Sequence, residues 1–287
     1  MDPRRQISHA EQIYQQPPVV SFTAPNAGPK TLSGTRTYVV GKEQAYILDP
    51  GPADDAYQQF IAEWIGAHKI SVRGILLSHG HPDHAPGSSL LSRELNVPIW
   101  GSRQLDTSYF ATRPEIRQYE SDPRFVVDGD VLRVIPTPGH SGDHVAFFLE
   151  NARILFAGDT ILGQGSSLVA PPEGNMAEYM RTLDRLDALR ANLIAPGHGP
   201  LIHDAHAKIE EYTRHRSTRE SQLLQILGRG PATIACLVTE MYAGVNPELR
   251  KLASGSVAAQ LEKLETEGRV SRQGEVYRPV SNPDRRE

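Results

Sequence analysis

Four apolar residues, Gly74-Ile75-Leu76-Leu77, lead straight into Ser78-His79-Gly80-His81-Pro82-Asp83-His84, and no other stretch constrains the chain as tightly. A short continuous apolar run suits a strand in a sheet covered on both faces. The turn that ends it carries imidazoles at His79, His81 and His84 and a carboxylate at Asp83. Imidazole nitrogen and carboxylate oxygen are the ligands zinc prefers apart from thiolate. His79 and His81, alternate in sequence, can converge on one ion; Asp83 and His84, past the turn, can reach a second. The bland alternative is a polar surface loop that is merely rich in histidine.

A two-metal site needs further ligands, and the ends of later strands are where a packed sheet presents polar groups. His140 stands in Pro138-Gly139-His140-Ser141-Gly142, after an apolar strand at 131–135. Asp159 stands in Phe156-Ala157-Gly158-Asp159-Thr160, and His198 lies between two glycines after the strand at 193–195. A glycine precedes each, which lets backbone pass close to an ion. A lone histidine at a strand end is more often structural, but all three follow the first motif in order.

The first half alternates strand and helix signals. Strands are expected at 36–40, 45–48, 74–78 and 97–100, with Asp49-Pro50-Gly51-Pro52 breaking the second. Tyr57, Phe60, Ile61, Trp64 and Ile65 mark one face of a helix over 53–68, and a second helix is expected at 88–95. Short strands follow at 125–127, 131–135, 145–149, 154–157 and 193–195. Between the last two, a helix over 175–190 has Asn175 as its cap. A long polar helix over 204–227 reads as a connector. Helices at 233–242 and 256–267 and a hairpin at 270–278 then make the outline of a winged helix. Segment 6–16 reads as a short amphipathic lead-in, and the charged tail from Ser281 as frayed. The domain boundaries expected are 1–203, 204–228 and 229–287.

The 287 residues are 39% hydrophobic and 22% charged, as in an ordinary soluble globular protein. No apolar run approaches the about 20 residues needed to cross a bilayer, and no secretory signal is visible, so the expectation is a cytoplasmic protein with no membrane partner. The single cysteine, Cys236, excludes an internal disulfide and a thiolate-rich metal site, and reads as a small buried residue on a helix. A net charge of −4 offers nucleic acid no general attraction.

With its His79-x-His81-x-Asp83-His84 signature and the later His140, Asp159 and His198, the chain resembles the metallo-β-lactamase superfamily. The resemblance implies an α+β fold: a four-layer αββα sandwich with a dinuclear zinc site along one edge. His79, His81 and His140 would hold the first ion, Asp83, His84 and His198 the second, and Asp159 would bridge them. Iron or manganese can use the same ligands. Segments 31–38, 158–163, 195–200 and 205–219, with Ile209, Tyr212, His215 and Arg216, are similar to the β-lactamase-like protein 2 branch, which adds a C-terminal winged-helix-like domain. That branch implies a zinc hydrolase linked, in its animal members, to cleavage of single-stranded RNA. Arg36, Gly80 and the pair Pro86-Gly87 depart from the branch pattern and are expected to line the mouth of the site.

Two zinc ions sharing a hydroxide would supply the nucleophile, with Asp83 orienting it and His144 as a further catalytic candidate. His9, His68, His203, His206 and His215 read as surface residues. Substrate contacts are expected from the loops at 105–122 (Tyr109, Phe110, Arg113, Arg117, Tyr119) and 164–175 (Ser166, Ser167), and from Arg36 as an anion holder. The leading expectation is hydrolysis of RNA phosphodiester bonds. The alternative is a thioester, ester or lactone hydrolase with the same centre. A nucleic-acid-binding regulator with a structural metal is a remoter reading, opposed by Glu262, Glu265 and Glu267 on the candidate recognition helix. The C-terminal domain is expected to cover the active-site edge or to mediate self-association.

Overall fold

The computed structural model describes residues 10–244 and 246–280; His9 and the tail from Ser281 lie outside the described residues. The first half runs β1 (Glu11–Gln15), β2 (Pro18–Thr23), β3 (Arg36–Val40), β4 (Ala45–Leu48), α1 (Asp55–Ala67), β5 (Val72–Leu76), α2 (Ser88–Leu95), β6 (Ile99–Gly101) and β7 (Ile116–Gln118). Then come β8 (Arg124–Val127), β9 (Asp130–Pro136), β10 (Val145–Leu149), β11 (Ile154–Gly158), α3 (Met176–Asp187) and β12 (Leu193–Pro196). The remainder is α4 (Ala205–Leu227), β13 (Ala232–Thr233), α5 (Ile234–Met241), α6 (Pro247–Thr266), β14 (Val270–Gln273) and β15 (Val276–Pro279). Among the described residues, no helix is long and apolar enough to cross a membrane.

Two compact units divide the chain. The first comprises residues 1–137, 143–167 and 189–206; the second comprises 138–142, 168–188 and 207–287. In the first, β1 to β7 form a seven-stranded sheet in sequence order, antiparallel up to β4 and parallel from β4 to β7. A five-stranded sheet has the order β12-β11-β10-β9-β8, with only the β11–β12 pair parallel.

The sheets bury one face of each against the other. Tyr38, Val40, Leu48 and Leu76 from the larger sheet meet Leu132, Val134, Phe147, Ile154 and Phe156 from the smaller. Successive strand residues point to opposite faces, so Leu76 enters this core while its neighbour Ile75 enters another, under α1 and α2. This is why 74–77 is apolar without interruption. Asp54 caps α1 by accepting from the Tyr57 amide, and Tyr57, Ile61 and Ile65 are buried on the face read from the sequence, while Phe60 and Trp64 pack at its margin.

The turns that carry the candidate metal ligands leave the C-terminal ends of β5, β9, β11 and β12, which lie in two different sheets. In the second unit, Leu223 and Leu227 of α4, Leu237 and Val238 of α5, and Val257, Leu261 and Leu264 of α6 share a core with Val270 and Tyr277. With β13-β15-β14 this is the expected winged-helix outline.

The amphipathic lead-in expected at 6–16 is, over its described part, strand β1, paired with β2 as a hairpin at the sheet edge. Two expectations need correction. The helix expected at 256–267 begins earlier, at Pro247. Cys236 is exposed, because Leu237 and Val238 occupy the buried side of α5.

Leu76 is fully buried between the sheets and sits two residues before the ligand turn. Leu76→Ala removes contacts from both sheets and should cost about 2–5 kcal/mol, read as a lowered denaturant midpoint; a midpoint within error of wild type would show that the inter-sheet core does not hold this strand.

Candidate metal centre

Asp49 and Ser78 set up the turn after β5. Asp49 follows β4, and its Oδ1 accepts from the Ser78 amide at 2.7 Å. Its Oδ2 accepts from Ser78 Oγ at 2.6 Å and from His84 Nδ1 at 3.0 Å. Having given its proton to Asp49, Ser78 Oγ accepts from His79 Nδ1 at 2.8 Å. One buried carboxylate thereby fixes the tautomer of both histidines, with Nδ1 protonated and Nε2 carrying the lone pair. His198 is oriented alike: its Nδ1 faces the Gly34 carbonyl at 3.3 Å.

The Nε2 atoms of His84 and His198 stand 3.1 Å apart. Asp159 Oδ1 lies 3.2 Å from each. Asp83 Oδ2 is 3.1 Å from His198 Nε2 and 3.6 Å from His84 Nε2. Lone-pair donors so arranged repel one another unless positive charge lies among them. In the metal-free chain protons supply it. Burial opposes charge on His84 and His198, but Asp159 overrides it, raising His84 well above the usual imidazole range and His198 to about 9. Burial likewise opposes ionisation of the carboxylates, and the imidazolium charges override it, bringing Asp83 down to about 2 and Asp159 well below the usual range. A divalent cation satisfies the same four groups.

The neighbouring His79 behaves oppositely. Burial, then the charges of His84, His144 and His81, depress its basicity far below the usual value. It therefore stays neutral, as a metal ligand must. The His79 and His81 rings are 4.4 Å apart. A Cβ at Gly197 would fall 2.6 Å from Asp159 Oδ1 and 2.8 Å from His84 Cε1, so the backbone here clears the space beside the ligands. The donor set fits zinc.

Two groups of side chains that could hold a metal ion account for all the expected ligands: His79, His81, His140 and Asp159, and Asp83, His84 and His198. His140 belongs to the segment 138–142, and its Nδ1 donates to the Leu168 carbonyl at 2.7 Å. Asp49 with His79 and His84 would make a third group, but Asp49 faces the Nδ1 side of His84 and already accepts from Ser78.

His144 is fully enclosed. Its Nε2 accepts from the Asp159 amide at 3.1 Å and its Nδ1 donates to Thr137 Oγ1 at 2.7 Å. It therefore positions the carboxylate from behind. Arg36 is likewise committed, donating through Nε to the Gly199 carbonyl at 2.7 Å and through Nη1 to Ser21 Oγ at 2.8 Å. Gly80, expected at the mouth, is buried instead: a Cβ there would meet the Asp106 carbonyl at 2.2 Å. Asp143 ties both segments together, accepting from the Gly80 amide at 2.8 Å and the Asp106 amide at 3.3 Å.

The loop at 105–122 is mostly packing: it contributes β7, buries Phe110, lays Arg117 over Trp100 and sends Tyr119 Oη to the Leu77 carbonyl at 3.1 Å. Tyr109, 44% exposed, faces solvent. Ser167 donates to the Asp159 carbonyl at 2.6 Å. Sequence reading missed Asp49, Ser78 and Asp143. Asp49 carried a usable signal, an acid directly after an apolar strand, the same one that located Asp159.

Asp49→Asn replaces the charged acceptor of His84 Nδ1. Losing such an orienting partner should weaken metal binding about 10–100-fold, measured by chelator competition, with far-UV circular dichroism unchanged; wild-type affinity would remove Asp49 from this role.

Residues 31–198 match the metallo-beta-lactamase superfamily and residues 233–278 the beta-lactamase associated winged helix domain. The beta-lactamase-like protein 2 homolog of Drosophila melanogaster is 32% identical, over 92% of this chain and 95% of its own length. A lactamase-like protein of Aspergillus niger is 30% identical, over 94% and 86%. The crystal structure of a beta-lactamase domain protein from Burkholderia ambifaria shares the fold at a TM-score of 0.82 and 20% identity, covering 98% of this chain and 99% of that one. Sandwich, donor set and matches agree: the chain belongs to the metallo-β-lactamase superfamily of metal-dependent hydrolases and carries its associated winged-helix domain.

Proposed function

We propose that the chain is a dinuclear zinc hydrolase that cleaves phosphodiester bonds of single-stranded RNA. The observation that carries the dinuclear reading is Asp159. It belongs to the group containing His79 and His81, yet its Oδ1 is 3.2 Å from both His84 and His198. A carboxylate so placed is built to bridge. His79, His81 and His140 hold the first ion in this reading, and Asp83, His84 and His198 the second.

When bound, zinc would make water a nucleophile at neutral pH and would stabilise charge on the attacking and leaving oxygens of an in-line displacement. That symmetry suits a phosphodiester. Asp83, ionised and partly exposed, would take the proton of the attacking water, with Thr35 Oγ1 placed 3.4 Å from its Oδ2 to hold its angle. His144 keeps Asp159 in place through its amide.

The second reading is a thioester, ester or lactone hydrolase with the same centre. The commitment of Arg36 and Arg117 to internal contacts favours it, since it leaves fewer cations for a phosphate chain.

Labelled single-stranded RNA should be cut by the zinc-loaded chain and left whole by Asp83→Ala. Rapid turnover of acyl-thioesters with RNA intact would overturn the RNA assignment in favour of the second reading. Metal uptake has its own signature. Zinc takes neutral imidazole, whereas His198 titrates at about 9 and is protonated at pH 7. Calorimetry in buffers of different protonation enthalpy should therefore show net proton release, and affinity should rise as the pH is taken from 7 towards 9. Equal heats in every buffer would contradict metal binding at this pair.

A further inference from the structure

We infer that the winged-helix domain sets the orientation of His140, chiefly through the seat of Gly255 on Ala170. The inference rests on the reading of His140 as a metal ligand. The path is short. His140 Nδ1 donates to the Leu168 carbonyl at 2.7 Å. A ring nitrogen facing a carbonyl must carry the proton, so this bond fixes both the tautomer and the direction in which Nε2 points. Leu168 opens a segment that turns tightly two residues later, where the Gly174 amide donates to the Ala170 carbonyl at 2.7 Å. Ala170 is where α6 arrives. A Cβ built on Gly255 would lie 2.6 Å from Ala170 Cβ and 3.7 Å from its Cα. The helix is thus seated on this segment with no room for one methyl group.

The other support of His140 leads to the same domain. The segment 138–142 is clamped to α3: the Asn175 amide donates to the Gly139 carbonyl at 2.8 Å, and Thr182 Oγ1 to the Pro138 carbonyl at 2.8 Å. Tyr179 of α3 lies under the guanidinium of Arg216, 5.3 Å from its ring centre, and the Arg216 carbonyl accepts from Gln260 Nε2 of α6 at 2.9 Å. Lys263 and Glu220 join α6 to α4 again at 2.6 Å. Glycine inside a helix is ordinarily a liability. Here its missing side chain is what lets α6 approach. Gly255 and Ala170 are positioning residues for His140.

The test is a methyl swap in the full-length chain, comparing Gly255→Ala, Ala170→Gly and the double variant. Zinc affinity is measured by chelator competition, and ligand geometry from the visible spectrum of the cobalt-substituted chain. Gly255→Ala should weaken one of the two ions about 10-fold, the lower end for lost orientation of a ligand, and shift the cobalt bands. The double variant, which restores the missing space, should recover both. Alanine is the better helix former, so the loss cannot come from a weaker α6. If Gly255→Ala lowers only the thermal midpoint, with both affinities and the cobalt spectrum as in wild type, the inference fails. If Gly255→Ala does not fold, Ala170→Gly alone, which loosens the seat, should show the same spectral shift, and an unaltered spectrum again defeats the inference. His140→Ala separates the premise. If it keeps both ions at wild-type affinity, His140 is no ligand. If it loses one while Gly255→Ala keeps both, only the positioning role is lost.

Discussion

The carboxylate of Asp49 is the interaction on which the rest of this structure depends. It receives the Ser78 amide, the Ser78 hydroxyl and His84 Nδ1, so the turn after β5 is hung from the end of β4. Its backbone is equally engaged: the amide donates to the Leu76 carbonyl at 3.1 Å, and the carbonyl accepts from Thr37 Oγ1 at 2.8 Å. Thr37 in turn receives the hydroxyl of Tyr57 from α1. Asp49 adopts a φ of 46°, a left-handed conformation that aspartate tolerates better than most side chains. Surrounding bonds hold it there, and the geometry of His79 and His84 follows.

The second constraint is electrostatic. Two carboxylates and two imidazoles meet where water has little access, and none can be removed without stranding charge on the others. The larger sheet supplies Asp83 and His84, and the smaller supplies Asp159 and His198. The edges that carry them are joined by backbone as well: Thr35 pairs with His198, and the Arg36 amide donates to the Gly197 carbonyl at 2.7 Å. Arg36, spent on Gly199 and Ser21, reinforces this seam. A residue that looks like an anion holder in isolation is here a brace between sheets.

Where a residue has one job, the sequence was readable. Strands β3, β4 and β10 and helix α2 fall on the bounds their apolar patterns indicate, because buried segments leave a period. The candidate ligands were legible because metal chemistry admits few residue types, and the structure gathers them into groups that could hold an ion. What escaped had weak local signals. β1 is polar and lies at an edge, and β7 is only three residues long and largely exposed. The start of α6 was hidden by Ser254-Gly255-Ser256, which reads as a break; packing on Ala170 outweighs the propensity of that triplet. Asp49 follows an apolar strand as Asp159 does, but it opens a proline- and glycine-rich turn that reads first as the end of a strand. Gly80 was misplaced because the loop that covers it returns through Asp106, a contact that no local pattern encodes.

The distribution of the ligands along the chain bears on how the protein matures. His84 and His198 touch across 114 positions of sequence, and both must be present before the second group of ligands exists. During synthesis the histidines of the first motif emerge well before β11 and β12 have been made, so early contact with an ion can involve only an incomplete set. Contacts this distant are paid for by closing a long loop and form late. A filled centre would therefore be a record of completed folding: a molecule that holds metal between His84 and His198 has already brought its two sheets together.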